Sequence, residues 1–590
     1  MEFIPAARYE GVRPGYVFKT DSLGLGYYLD EPGGGGQAVG GKRSLDDGRG
    51  ESAKKRLHIP SSSSDDVLDE PDNLPVGPLD AAGLKAKLLS FERKINKNQE
   101  MRMRFPQDPE KFMDSEVDLH DELQELFPIA TAPELFPLLV SLGAMKSILG
   151  VLTHENTDVS LAAVSLLQEL TDPDTLTEDS DESLPLVLID EFVKQQGIEL
   201  IVQNLSRLDD SQEEDSLGIS HTLSILENIV EAKDSLAEEA GERTDIMSYL
   251  LRRLSGQAFD PIKLHCSEVL AILLQRSEAN QERLSTIQVD GRSGFEHILQ
   301  IVFNYRKVVP SSSDEAECIE NVFLSLRSAL LISKNRELFL ENEGFELMMK
   351  CLKEGAYAAT CSLKTLSFAI TSSTASCSRF VEVGGLKFLF PTFMGKSIAK
   401  NFSKKKGVKQ ELEQTAVSIL SELSSCLVLN PENESMRSIL LRLMSKFSEN
   451  EQEKLERCMD LYVKYKQEVK DTEQEIALLR RDIEATGDKD ALEEFNDDDN
   501  LYMKMLNGGL FTLQQICKII ALVCLSEGKK ALTTVSNRLS SSGSSFDDFL
   551  FILREAAARM PVNSNQVASE RIVFITLGAA CSKTFSQIES

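Results

Sequence analysis

The feature that most constrains this chain is a glycine that repeatedly precedes an apolar stretch with the period of a helix. It recurs at six positions: Gly143, Gly197, Gly241, Gly294, Gly344 and Gly385. A polar turn and a second, longer apolar stretch follow, and apolar residues recur three and four positions apart, as in a helix buried on one side. Helix pairs repeated every 40 to 50 residues or so are typical of armadillo and HEAT solenoids.

The repeat pattern predicts the fold class and the parts of the 590-residue chain. We expect an all-α, armadillo/HEAT-like, right-handed helical solenoid, since a single bundle would not restart six times and strands would need period-two alternation. The predicted parts are a disordered tail over 1–80, an N-terminal helical cap over 81–132, about six armadillo-like repeats over 133–430 and a C-terminal helical region over 431–590.

The C-terminal region is predicted to begin with one long helix over 449–487. Apolar residues lie seven positions apart along it: Leu455, Tyr462, Val469, Ile476 and Ile483. The intervening coiled-coil positions are mostly charged, so the helix either lies along another element or pairs weakly with a second copy. An apolar helix pair over 499–525 and helices over 546–560 and 566–587 are expected to cap the array.

The net charge and the composition restrict the classes of partner that the chain can bind. The net charge is −30, so the chain repels nucleic acid backbones and attracts basic protein segments. We find no run of about 18 apolar residues and predict no membrane span. The ten cysteines are scattered and are expected to be buried, in a reducing compartment.

The sequence contains no motif that indicates catalysis. It has no nucleophile elbow, P-loop, HExxH motif or kinase signature. The six histidines are dispersed, and His265 beside Cys266 has no second pair of ligands nearby. We therefore expect no enzyme, no metal and no cofactor.

The tail carries an aromatic cluster. The surrounding residues are rich in Gly, Ser and Pro, which predicts disorder. Its aromatic residues are Tyr16, Phe18, Tyr27 and Tyr28. Aromatic side chains are costly to leave in water, so the cluster is either a motif that docks on a partner or an adventitious apolar patch.

The tail also carries two basic clusters. They are Lys42-Arg43 and, ten residues on, Lys54-Lys55-Arg56. This spacing matches a bipartite nuclear localisation signal read by importin-α, the alternative being a chance pair of clusters. Ser62 and Ser63 each have Asp three residues on. Phosphate there would add negative charge beside the basic clusters and weaken import.

A peptide groove is predicted on the last helix of each repeat, which lines the concave face of an armadillo array. The candidate groove residues are Gln168, Glu169, Glu227, Asn228 and Glu231. An acidic block surrounds them, since residues 172–215 hold fourteen Asp and Glu against two basic residues, a net of −12. The block is either a set of solvated loops or a surface that attracts Lys/Arg-rich segments.

Long motifs give a resemblance to a known family. They are KNQEMRMRFPQDPEKFMDSEVDLHDELQEL (97–126), HENTDVSLAAVSLLQELTD (154–172), KLHCSEVLAILLQ (263–275), SKNRELFLENEGFELM (333–348), FVEVGGLKFLFPTFM (380–394) and LYMKMLNGGLFTLQQIC (501–517). From about 84 to at least 525 the chain resembles the beta-catenin-like protein 1 family. The resemblance implies an armadillo-type nuclear protein of the spliceosome's NineTeen-type complex. It also implies binding to basic segments of splicing factors, among them the Myb-type cell-division-cycle-five-like protein.

Two other classes stay open. An importin-α-like transport receptor has acidic armadillo grooves, but those grooves rely on Trp ladders and this chain has no Trp. An adhesion or cytoskeletal scaffold of the β-catenin type presents a basic groove, which the charge of −30 disfavours. A homodimer is not decided by the sequence.

Overall fold

The structure, a computed structural model, divides the chain into two units, Met1–Val76 and Gly77–Ser590. It describes residues 3–5, 16–21, 24–29, 79–173, 183–256, 258–396, 406–430, 432–486, 492, 495–560 and 565–589.

The first unit contains three short antiparallel strands. They are β1 (Phe3–Pro5), β2 (Tyr16–Asp21) and β3 (Gly24–Leu29), in the order β1-β3-β2. Tyr16 and Phe18 lie on β2, Tyr27 and Tyr28 lie on β3, and Phe18 pairs with Tyr27 in the register. The sequence predicts disorder here, and the structure differs because neighbouring strands satisfy each other's backbone groups, which composition does not reveal.

The other tail predictions lie outside the described residues. These are the basic residues Lys42, Arg43, Lys54, Lys55 and Arg56, and the phosphorylation candidates Ser62 and Ser63.

The second unit is built of helices. The N-terminal cap consists of α1 (Ala81–Arg104) and α2 (Met113–Gln124). Six units of three helices follow: α3 (Phe136–Ser141), α4 (Ala144–Val151) and α5 (Thr157–Thr171); α6 (Ser183–Lys194), α7 (Gly197–Leu205) and α8 (Glu213–Ala232); α9 (Ser235–Arg243), α10 (Ile246–Leu254) and α11 (Pro261–Arg276); α12 (Glu278–Arg283), α13 (Gly294–Tyr305) and α14 (Ser313–Ala329); α15 (Ser333–Glu341), α16 (Gly344–Glu354) and α17 (Ala358–Ala369); α18 (Thr374–Glu382), α19 (Leu386–Phe393) and α20 (Lys406–Leu429). A hairpin of two-residue strands, β4 (Gln288–Val289) and β5 (Arg292–Ser293), precedes α13.

The C-terminal region continues the helical pattern. Its helices are α21 (Glu434–Ser448), α22 (Glu453–Thr486), α23 (Asp498–Met505), α24 (Phe511–Glu527), α25 (Lys529–Ser541), α26 (Phe546–Arg559) and α27 (Asn565–Glu589). A π-helical turn, Leu506–Leu510, joins α23 to α24.

The third helices of the six units stack into one row. Each of α5, α8, α11, α14, α17 and α20 contacts the next, α2 packs on α5 at the front and α24 packs on α20 at the back. We call this row the ladder. Stacking in which each unit contacts mainly its neighbours is the packing of a solenoid, so the predicted helical solenoid is confirmed.

The ladder position explains why α5 is buried on most of its sides. Helix α5 contacts α2, α8 and the outer helices α4 and α6. Ten of its fifteen residues are buried, among them Val164 and Leu167. Only a narrow stripe, which includes Ser165, Gln168 and Glu169, is half-exposed. We call the surface that these half-exposed residues form the inner face of the ladder.

The repeated glycines have a packing role that the sequence did not reveal. A Cβ at Gly197, Gly344 or Gly385 would lie 2.3–2.5 Å from the ring of the phenylalanine five residues earlier: Phe192, Phe339 or Phe380. The left-handed turn falls on the residue before the glycine at Gln196 (φ 61°) and Glu343 (φ 56°). The glycine is therefore needed for close approach to a buried ring, whereas the predicted turn role holds at Gly143, whose φ is 73°.

The predicted helix start at Gly241 is wrong. Gly241 lies inside α9, and the next helix begins five residues later at Ile246. A Cβ there would meet the Asn280 amide at 2.0 Å, so this glycine makes room for an outer helix of the next unit.

We expect Gly344→Ala to destabilise the solenoid by about 1–3 kcal/mol. The added methyl would overpack the ring of Phe339, which is fully buried and lies edge-on to Phe345. Gly150→Ala is the matched control. Gly150 is an exposed position within α4 with open space around it, and the change there should stabilise by roughly 0.5–1 kcal/mol. Thermal unfolding midpoints that shift in opposite directions support the account. Equal shifts would contradict the proposed role of the Phe–Gly contact.

Two helical stretches are apolar and long enough to cross a membrane by length and composition, Gly407–Leu429 and Asp498–Glu527. The predicted absence of a membrane span rested on the lack of an uninterrupted run of about 18 apolar residues, and that criterion passes over these two stretches because polar residues interrupt them. Their apolar windows are 67% and 83% buried within the fold, because α20 and α24 pack on each other and on the C-terminal helices. The hydropathy of both stretches reflects a core position.

The long helix is present as α22, and its two halves differ. Leu455 and Tyr462 are fully buried against the C-terminal helices, and Val469 is half-buried. From 470 to 486 most residues are exposed. The two remaining apolar residues of the seven-residue spacing, Ile476 and Ile483, are half-exposed. The first half therefore lies along other elements, which is one of the two arrangements that the sequence left open. All ten cysteines are buried and free, as predicted.

Candidate functional site

Histidine–serine contacts connect neighbouring ladder helices at the inner face. The Ser165 hydroxyl lies 2.9 Å from Nδ1 of His221, and the Ser220 hydroxyl lies 3.4 Å from Nδ1 of His265. Burial lowers the pKa of His221, which keeps this ring neutral at pH 7. These contacts fix the spacing of α5, α8 and α11, and the remaining side chains of the inner face are presented from a rigid row.

The predicted groove residues lie on two adjacent ladder helices. Gln168 and Glu169 are half-exposed on α5, and the Gln168 amide donates to Asp172 at 3.1 Å. Burial raises the pKa of Glu169, and the nearby charge of Asp172 adds to the effect. On α8, Glu227 and Asn228 are half-exposed and Glu231 is exposed. Peptide binding by these residues stays a prediction.

A concentration of negative charge lies one step further along the ladder. Glu268 on α11 is half-buried, and its carboxyl lies in the field of Glu227 on α8 and of Asp314 and Glu317 on α14. Burial raises the pKa of Glu268; His265 opposes the rise, and the three neighbouring carboxylates add to it. We call these four carboxylates the acidic stripe. A carboxylate that is desolvated and crowded by like charges is relieved by a cation placed among them.

The His265 ring lies against the stripe. Its Nε2 lies 3.5 Å from the Glu227 carboxylate. Further along the ladder the charges are balanced within the fold, since Lys364 on α17 forms an ion pair with Glu411 on α20. The acidic stripe therefore ends at α14 and extends across three ladder helices, α8, α11 and α14.

The part of the predicted acidic block over 172–215 that lies on the outer helices is a different surface, whereas Glu213, Glu214 and Asp215 begin the ladder helix α8. Residues 174–182 lie outside the described part of the chain. Asp190 and Glu199 lie on the outer helices α6 and α7, where they pair with Lys233 (2.9 Å) and Arg243 (3.8 Å). These carboxylates already have cationic partners and do not face the ladder's inner side.

An apolar groove precedes the stripe, between α2, α5 and α8. Its volume is about 760 Å³. Its exposed apolar side chains are Met113 and Val117 on α2 and Leu217 on α8, each more than half exposed. Glu214 and His221 line the same groove. Leu217 and Glu227 are ten residues apart on α8, so about 15 Å separates these two residues along the helix axis.

A polar network makes the groove rigid by fixing the N-terminal cap. His154 Nε2 lies 3.0 Å from the Asn98 amide oxygen, and the Asn98 amide donates to Ser115 at 3.0 Å. The Asn156 side chain donates to Glu116 at 2.8 Å. These contacts join α1, α2 and the start of α5 into one body.

Sequence reasoning missed Glu268, Asp314 and Glu317. A signal for the ladder contact exists, because His221 and His265 occupy matching places in SHTLSIL and LHCSEVL. Aligning the two helices on these histidines puts Glu268 opposite Ser224, which is an inner-face position. No group of three or more His, Cys, Asp or Glu side chains among the described residues could hold a metal ion.

Comparison with known proteins adds the family. The profile of a family described as Catenin-beta-like, Arm-motif containing nuclear, matches residues 63–554. The chain belongs to this family. Beta-catenin-like protein 1 of Homo sapiens is 40% identical over 486 residues, which cover 81% of this chain and 82% of the human protein. The Beta-catenin-like protein 1 homolog of Schizosaccharomyces pombe is 29% identical over 446 residues, covering 75% of this chain and 72% of the yeast protein.

Among solved structures, the crystal structure of an engineered protein aligns over 79% of this chain and 96% of its own, with a TM-score of 0.41 and 12% identity. The family description and the ladder of helices together make the chain an Arm-motif protein of a nuclear family.

Proposed function

We propose that the protein is a nuclear interaction scaffold that supports pre-mRNA splicing by holding basic segments of splicing factors along the inner face of the ladder. The observation that carries the proposal is the acidic stripe, in which Glu268 is half-buried among Glu227, Asp314 and Glu317. A Lys or Arg side chain placed there gains charge-assisted hydrogen bonds in a partly desolvated site.

The groove between α2, α5 and α8 adds specificity. An extended peptide advances about 3.3 Å per residue, so the 15 Å between Leu217 and Glu227 corresponds to roughly five residues. We therefore expect a preferred ligand to carry an apolar residue about five positions from a Lys/Arg cluster. A uniformly basic peptide would fill only the stripe.

The family description supports the nuclear location, and the splicing assignment extends the resemblance of the sequence motifs. In line with the family resemblance, we propose the NineTeen-type spliceosomal complex as the setting and the Myb-type cell-division-cycle-five-like protein as a ligand. We also propose that importin-α carries the protein into the nucleus by reading Lys42, Arg43, Lys54, Lys55 and Arg56.

An affinity purification from nuclear extract tests the proposal. The bait is the full chain, compared with a variant in which Glu227, Glu268 and Glu317 are each changed to Gln. The control variant changes Glu238, Glu282 and Glu341 to Gln, since these are exposed residues of the outer helices α9, α12 and α15. Both variants lose three negative charges, so a non-specific charge effect would be the same in both.

We expect splicing proteins to co-purify with the full chain and the control variant and to be depleted with the stripe variant. Import cargo, or membrane receptors with their cytoskeletal adaptors, in place of splicing proteins would favour the transport-receptor or adhesion class. Equal recovery of splicing proteins by both variants would show that the acidic stripe does not bind them.

A further inference from the structure

A second groove lies at the other end of the solenoid, between α26 and α27. Its volume is about 580 Å³. Small residues form its base and allow a close approach: Ala557 and Ala558 on α26, Gly578 and Ala579 on α27. A Cβ at Gly578 would be 3.8 Å from Leu553, so the two helices are closely packed beneath the groove. We call it the C-terminal groove.

Exposed apolar side chains lie beside the C-terminal groove. Ile575, which lines it, is 52% exposed, and Ile572 on the same helix is 53% exposed. Phe551 on α26 is 61% exposed and lies three residues before Arg554, so the two share a helix face. Apolar side chains of this size exposed together around a concave base are typical of a surface that a partner covers.

Three cations line the same groove: Arg554, Arg571 and Lys583. None of them forms an ion pair within the described part of the chain. Neighbouring cations of the C-terminal region do have partners, since Lys518 pairs with Glu570 at 2.9 Å and Arg559 pairs with Asp498. In a chain of net charge −30, three cations without a carboxylate partner around an apolar groove are an unusual concentration.

We propose that the C-terminal groove binds an acidic amphipathic helix of another protein. The apolar face of that helix would cover Ile575 and the small residues of the base, and its Asp or Glu side chains would pair with Arg554, Arg571 and Lys583. Arg571 and Lys583 are twelve residues apart on α27, which spans about 18 Å and matches a partner helix of roughly three turns.

This surface selects the opposite charge from the acidic stripe and lies on different helices. Most of it, including all of α27, lies beyond residue 554, where the family profile ends. Nucleic acid is disfavoured as the occupant because the groove is apolar at its base and the chain as a whole repels phosphates.

The test uses three fluorescent peptides of about 15 residues and the full chain. The first peptide carries leucines at helical spacing with glutamates between them. The second keeps the leucines and replaces each Glu with Lys, and the third keeps the glutamates and replaces each Leu with Ser. We expect the first peptide to bind at least about tenfold more tightly than either control, since binding needs both the charge and the apolar face.

Two variants locate the site. Arg554→Glu with Arg571→Glu should weaken binding of the acidic amphipathic peptide about tenfold or more, whereas Lys529→Glu with Lys530→Glu on α25 makes the same change in net charge and should leave it unaltered. Ala558→Gln with Ala579→Gln fills the groove at two exposed positions without changing charge and should also weaken binding. Retained helicity by circular dichroism checks that the variants fold.

Three results would overturn the proposal: equal binding to both charge variants, preference for the Lys peptide, or self-association of the full chain that the Arg554→Glu, Arg571→Glu variant abolishes. The last result would assign the groove to a second copy. A Lys/Arg-rich peptide bound at the acidic stripe should not compete with the acidic peptide, so the two proposals fail independently.

Discussion

Leu167→Asp is expected to abolish folding of the N-terminal repeats and the soluble expression of the chain. Leu167 is 0% exposed on α5, a ladder helix held between α2 and α8 with outer helices behind it. The substitution would bury a carboxylate with no cationic partner, at a cost of about 3–5 kcal/mol. Because each repeat is stabilised mainly by its neighbours, the loss should spread to the repeats on both sides.

The next residue along the helix is a matched control. Gln168 is half-exposed on the inner face, so Gln168→Asp adds the same charge one position away with access to water. We expect this variant to be soluble and to unfold close to the wild-type temperature. Soluble, folded Leu167→Asp protein would contradict the packing described for α5, and loss of both variants would mean that α5 tolerates no added charge.

Changing Glu227, Glu268 and Glu317 to Gln is expected to weaken binding of a Lys/Arg-rich peptide by roughly ten- to a hundredfold at low salt. An exposed ion pair contributes only about 0.2–1 kcal/mol, but pairs that are partly desolvated contribute more, and Glu268 is half-buried. Gln keeps the shape of Glu, so the change isolates charge from packing. The variant with Glu238, Glu282 and Glu341 changed to Gln should bind as the wild type does.

Salt and pH give two further readouts of the same prediction. The difference between wild type and stripe variant should shrink above about 0.1 M salt, where the Debye length falls to about 10 Å. The pKa of Glu268 is raised in the free protein, and a bound cation would lower it, so binding releases a proton. Affinity should therefore fall as the pH is lowered through the raised pKa, and Glu268→Gln alone should flatten this dependence. Identical salt and pH dependence in both proteins would place the peptide elsewhere.

The repeat architecture was accessible from sequence because periodicity is a property of each helix by itself. Apolar residues three and four apart indicate the presence of α5, α8, α11 and α14, although α8 and α14 begin five and seven residues before their apolar stretches at 218 and 320. The same reasoning assigned Gly241 to a helix start that lies at Ile246, since a glycine that makes room for Asn280 looks the same in sequence as one that permits a turn. Which of the two roles a glycine has depends on a contact with a residue distant in sequence.

The acidic stripe could not be predicted because it depends on the stacking offset between units. Glu227, Glu268 and Glu317 lie about 40 to 50 residues apart and come together only when α8, α11 and α14 pack side by side. Local charge density indicated instead the block over 172–215, whose described carboxylates on α6 and α7 are paired on the outer helices. The C-terminal groove had no signal of its own, because the cations on α27 are spread over three turns.

Photo-crosslinking of a bound basic peptide tests the central claim most directly, because it reports where the peptide lies. The peptide carries a Lys/Arg cluster, an apolar residue about five positions away and a photoreactive group beside the cluster. We expect cross-links to α8, α11 and α14 that are lost in the variant with Glu227, Glu268 and Glu317 changed to Gln. Cross-links confined to the outer helices or to α26 and α27, unchanged in that variant, would contradict the assignment of the ladder's inner face as the binding surface.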